Sequence, residues 1–139
     1  MKRMKLILLA AALLAVAPPA ALAAHGAWSG SAAGPRLSVG KQSYPGPAIS
    51  PPSPLPAGAR LNQIAWRITL LSPPPPGLQI KLCSVSACIE LDQLAGQRAA
   101  PLPFLPGETL RFIYAVEAYG QLRPPVQITR SQVTVNYQW

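Results

Sequence analysis

The stretch from Leu78 to Asp92 reads Leu-Gln-Ile-Lys-Leu-Cys-Ser-Val-Ser-Ala-Cys-Ile-Glu-Leu-Asp. If Val85-Ser86 forms a two-residue turn, Leu78 to about Ser84 makes one strand and Ala87 to Asp92 the next. Cys83 then faces Cys88, Lys81 faces Glu90 and Gln79 faces Asp92. On the other face Leu82 meets Ile89 and Ile80 meets Leu91. A single register thus brings two cysteines together, opposes unlike charges and aligns apolar pairs, which is what specifies a β-hairpin. Val85-Ser86 is not a favoured tight-turn pair. A four-residue loop closed by the same disulfide is the alternative.

The same period of two extends outward from this hairpin. Ile64, Trp66, Ile68 and Leu70 alternate with Ala65, Arg67 and Thr69, and the strand ends at Ser72, Pro73 to Pro76 and Gly77. A loop is expected from Ala95 to Gly107. Leu110, Phe112, Tyr114 and Val116 then alternate with Arg111, Ile113, Ala115 and Glu117, until Gly120 and Pro124-Pro125 break the strand. The last segment changes phase. Val126 and Ile128 are apolar on even numbers, whereas Val133, Val135 and Tyr137 are apolar on odd ones. One extra residue near Arg130 to Gln132 restores a continuous core face, as a β-bulge does. Residues 24–60 are rich in Gly, Pro, Ser and Ala. They are expected to form an extended arm or loop, most Pro-rich at about 40–60, with at most a short strand near Leu37 to Val39. The expected fold is all-β: a single-domain antiparallel β-sandwich, immunoglobulin-like or similar, with a disulfide-closed hairpin.

The N-terminus places that domain in an oxidising compartment. Lys2, Arg3 and Lys5 precede an apolar run from Leu6 to Ala17, then Pro18-Pro19 and Ala21-Leu22-Ala23. This is the order of a cleaved signal peptide, residues 1–23. The run is shorter than the roughly 20 residues a spanning helix needs. The sandwich domain then occupies residues 24–139, expected to be periplasmic and without stable membrane insertion. An even cysteine count in an exported chain implies a disulfide. Cleavage lowers the net charge from +8 to +5. The remaining basic residues are scattered from Arg36 to Arg130, without the basic stripe of a nucleic-acid binder.

The chain is poor in groups for catalysis. Its one histidine, His25, is expected at a mobile terminus. The cysteine spacing is not that of a redox motif, and no helix start is expected to lower a thiol pKa. Pairing removes both thiolates from metal ligation. Glu90 and Asp92 share a strand face, but Lys81 and Gln79 opposite explain them more simply than a glycosidase pair does. No phosphate loop or nucleophile elbow is present. No catalytic, metal-binding or cofactor-binding residue is assigned. Trp66 is expected in the core and Trp28 in packing. Trp139 is assigned to neither packing nor binding. Arg67, Lys81 and Arg111 are outward by phase and are the candidates to face a partner.

An ordered series of motifs also resembles a known family. It comprises Gly26-Ala27-Trp28, Ala65-Trp66-Arg67, Pro76-Gly77-Leu78, Leu82-Cys83-Ser84 and Ala87-Cys88-Ile89-Glu90-Leu91-Asp92. Leu110-Arg111-Phe112 and Gln132-Val133-Thr134-Val135-Asn136-Tyr137 complete it. Together these resemble the flagellar protein FlhE family across nearly all of the mature chain. The resemblance implies a periplasmic flagellar accessory protein that acts by binding. It would serve as a plug against proton leak through the flagellar type III export apparatus, or as a chaperone for exported components. Export-gate or rod proteins are the implied partners. The alternatives are a cell-wall- or carbohydrate-binding module and an inhibitor of a wall hydrolase.

Overall fold

The computed structural model describes residues 24–139. The signal-peptide reading of residues 1–23 lies outside them. Among the described residues nine strands follow in chain order: β1 His25–Ala32, β2 Arg36–Val39, β3 Tyr44–Pro45, β4 Arg60–Leu70, β5 Leu78–Cys83, β6 Cys88–Leu91, β7 Ala95–Ala99, β8 Arg111–Val116 and β9 Gln121–Gln138. All pairings are antiparallel. One sheet runs β1-β9-β4-β7, with β2 also on β9, and the other runs β3-β8-β5-β6. Their inner faces form one core that includes Ile64, Trp66 and Ile68 of β4, Leu82 of β5, Phe112 and Tyr114 of β8, and Val133 and Val135 of β9. The alternation of β4 and β8 is thus that of strands with one face buried and one in solvent.

The hairpin has the expected register: Ile80 faces Leu91, Lys81 faces Glu90, Leu82 faces Ile89 and Cys83 faces Cys88. The ladder stops at the cysteines. The Ser84 N–H donates to the Ala87 carbonyl (2.8 Å), while the Ser84 hydroxyl oxygen accepts from the N–H groups of Ser86 and Ala87. A side-chain acceptor therefore closes a turn that Val85-Ser86 alone would not favour. The expected Gln79–Asp92 pair is absent because β6 ends at Leu91 and the chain leaves for the other sheet. That departure is anchored by the Trp66 indole N–H donating to the Gln93 carbonyl (2.9 Å) and by the Ile68 N–H donating to the Leu94 carbonyl (2.7 Å).

Several expectations need correction. The N-terminal arm begins with a full strand, β1, paired along its length with β9. Its Gly, Ala and Ser residues hid the alternation, since only Trp28 supplies a large inward side chain. His25 accordingly opens a strand opposite Gln138 rather than lying at a mobile terminus. The expected Ala95–Gly107 loop starts with β7, an edge strand on β4 that has no large apolar residue. Pro124-Pro125 does not separate strands either. β9 passes through the pair, and the β2–β9 register shifts there, between Leu37–Val126 and Val39–Gln121. A bulged segment has no ladder bond for proline to lose.

The phase change in β9 is real and lies one step earlier than expected. Leu70 pairs with Ile128 while Thr69 pairs with Arg130, which leaves Thr129 as the extra residue. Thr129 and Arg130 are both exposed, and Ser131 turns inward. Its hydroxyl hydrogen-bonds the Tyr114 hydroxyl across the two sheets.

Candidate functional site

Cys83 and Cys88 are bonded, with Cα atoms 4.0 Å apart. Both were expected on a polar face. Cys88 is exposed there, but Cys83 is buried, because β8 flanks it on the side away from β6 and places Arg111 opposite it. The bond ties the last ladder position of a hairpin. It is suited to holding the Ser84–Ala87 turn, whose tip residue Val85 is 96% exposed.

The three outward basic residues do not converge. Arg67 lies on the outer face of the five-stranded sheet, between Gln132 of β9 and Ala95 of β7. Lys81 and Arg111 lie on the outer face of the other sheet, where Lys81 stands between Glu90 and Ile113. The sandwich therefore carries two separate basic faces. Lys81 and Glu90 are in register without forming an ion pair. Among the described residues the ion pair found is Lys41–Glu117, at 2.5 Å, with both side chains largely in solvent.

Prolines that read as strand breaks in the sequence line a concave surface instead. Pro73, Pro75 and Pro76 face Leu122, Pro124 and Pro125 across a groove of about 570 Å³ at one end of the sandwich. Glu117 lies on its rim, held by Lys41. The Lys41 ammonium also sits 4.7 Å from the ring centroid of Tyr119, which is 88% exposed. The recurrence of proline pairs at two distant positions was the available sequence signal for this groove. The register that brings the two together was not legible without the fold. A second hollow is lined by the Ser50–Ala59 stretch with Pro106 and Gly107.

The titratable groups are dispersed. Among the described residues no group of three His, Cys, Asp or Glu side chains could hold a metal ion. The Glu108 carboxylate accepts from the Leu105 N–H within its own turn (2.5 Å). Burial pushes the Tyr114 phenol up to about 12, opposed in part by the hydrogen bond to Ser131. Trp66 and Trp28 are buried in the core, as expected, whereas Trp139 is half-exposed beside Tyr137, with ring centroids 5.7 Å apart. The Trp28 indole nitrogen is buried without a hydrogen-bond partner among the described residues. No helix among the described residues is long and apolar enough to cross a membrane.

The family model for flagellar protein FlhE matches residues 34–138. Flagellar protein FlhE of Escherichia coli K12 is 36% identical over 115 residues, covering 83% of this chain and 87% of the relative. Flagellar protein FlhE of Salmonella typhimurium is 37% identical over 119 residues, with the same coverages. A solved crystal structure of FLHE superposes with a TM-score of 0.75 at 34% identity, covering 83% of this chain and 98% of that one.

Proposed function

The chain belongs to the flagellar protein FlhE family, and from that premise we propose that it works in the periplasm, by non-covalent binding, at the outer side of the flagellar export apparatus. The observation that carries this reading is the family match over residues 34–138, which takes in the hairpin, the proline groove and every strand except β1. The architecture supports a binding role. The hairpin is locked by a disulfide, and the polar groups with room to act lie on separated outer faces rather than in one catalytic cleft. A disulfide also suits an oxidising compartment. Arg67, Lys81 and Arg111 favour acidic surfaces on an export-gate or rod protein and make the association sensitive to salt.

Two modes of binding fit this reading. A plug limits proton leak through the export channel, and a chaperone protects exported components. Proton leak measured in a strain lacking this protein and making no rod subunits separates them. A leak that persists without rod subunits supports the plug. A defect seen only when rod subunits are made supports the chaperone. No defect in either background would remove the flagellar reading.

A further inference from the structure

Each sheet edge except one carries a device that blocks strand addition. β3 is two residues long and ends in Pro45. The outer carbonyl of Glu90 on β6 accepts from the Arg98 guanidinium (2.9 Å). Arg98 is itself an inward-facing charge on the edge strand β7, in register with buried Ile64. On β2 the N–H groups of Ser38 and Val39 donate to the Tyr44 hydroxyl, at 3.2 and 2.9 Å. Proline, inward charge, short length and side-chain capping are the recognised protections of sheet edges.

β1 has none of them. Its eight residues, His-Gly-Ala-Trp-Ser-Gly-Ser-Ala, contain no proline, lysine, arginine or carboxylate. Ala24 and Trp139 exchange both backbone hydrogen bonds, at 3.2 and 3.0 Å. Alternation along the antiparallel ladder then points the N–H and C=O groups of His25, Ala27, Ser29 and Ser31 away from β9. Among the described residues no backbone group pairs with that side of β1. The neighbouring outer face is polar but uncharged: Ser29 and Thr134 share a hydroxyl hydrogen bond (2.8 Å), with Asn136 and Gln132 in the flanking positions. On the inner face the unpartnered indole N–H belongs to Trp28, in the middle of this same strand.

We propose that the free edge of β1 captures an extended segment of another polypeptide, which adds as a further strand alongside His25–Ala32. The proposal rests on the binding role above and names its surface. An extended backbone is the ligand whose donors and acceptors repeat at the spacing the edge presents. The uncharged surroundings select a segment without charges at its centre. A second copy of this chain is a competing occupant that the test separates.

The test uses the mature protein and overlapping peptides that tile the flagellar rod subunits, with amide exchange followed by NMR. The expected result is a peptide that slows exchange at Ala27, Ser29 and Ser31 by roughly tenfold or more. Ala27→Pro removes only an outward donor, which an edge strand tolerates, and should abolish binding. Ala27→Lys covers the case where the proline variant does not fold, and should weaken it. Peptides that bind without slowing these amides overturn the edge assignment and leave the binding role standing. So does binding that neither variant changes. Slowing that rises with protein concentration alone overturns it in favour of self-pairing. If no peptide binds, the edge proposal fails, while the proton-leak experiment still judges the wider reading.

Discussion

The Tyr114–Ser131 pair offers the sharpest test of how the fold is held. Tyr114 is fully buried on β8, and Ser131 is buried on β9 of the opposite sheet. Their hydroxyls hydrogen-bond through the core. Tyr114→Phe keeps the ring and its packing against Phe112 but leaves the Ser131 hydroxyl without its partner in an apolar surround. A net hydrogen bond contributes about 1 kcal/mol, and a stranded buried group raises the cost to about 1–3 kcal/mol. For a domain of about a hundred residues, a loss of this size lowers Tm by roughly 4–12 °C. Ser131→Ala strands the phenol instead and should cost a similar amount. The double variant should cost less than the two single changes added together, because no polar group is then left alone. Urea unfolding of all four proteins measures this coupling. Strict additivity would refute an inter-sheet bond. The same pair sets an alkaline limit. The phenol is held at about 12 in the folded protein against about 10 when unfolded. The unfolded chain therefore loses this proton first, so stability from the group is complete below pH ~10 and is lost as pH rises toward ~12. A pH series should show Tyr114→Phe falling less steeply than the parent across that window.

Three further expectations follow from particular residues. Denatured, unreduced protein from the periplasm should show no free thiol. Replacing Cys83 and Cys88 together by Ser should cost about 2 kcal/mol, since the loop closed is short; two titratable thiols in unreduced material would contradict the pairing. A Cβ at Gly40 would collide with the backbone carbonyl of Ala118, so Gly40→Ala should destabilise by about 1–3 kcal/mol, measured by thermal unfolding. An unchanged Tm would show that this close approach is relieved cheaply. Intact-mass measurement should find the mature chain starting at Ala24 or His25, and a retained leader would remove the signal-peptide reading.

The hairpin was legible because three independent signals, cysteine spacing, charge and apolar pairing, coincide in one register. β4 and β8 were legible because large inward residues alternate over six or more positions. β1 and β7 were not, because the inward positions of β1 are mostly Gly or Ala and those of β7 are Gly96 and Arg98, and strand pairing there comes from neighbours distant in sequence. Gly96, for instance, lies against the Trp66 ring, a small residue made necessary by a large one on the facing strand. The phase change in β9 was visible as a pattern, yet its consequence, an inward Ser131 opposite Tyr114, requires knowing which sheet lies across the core. The proline groove shares that dependence. Arg67, Lys81 and Arg111 were correctly read as outward, but phase says which side of a strand faces solvent and not which sheet the strand joins. The division into two opposite basic faces therefore emerged only in three dimensions.

The proposed action at the flagellar export apparatus is open to a direct epistasis measurement. Cytoplasmic pH and motility are followed in cells lacking this protein, in cells lacking the export gate and in cells lacking both. Loss of the protein is expected to disturb proton balance or motility when the gate is present. No added change in proton balance is expected when the gate is gone. A proton-balance defect of equal size with and without the gate would rule out action at the export apparatus and place the protein's action elsewhere in the envelope.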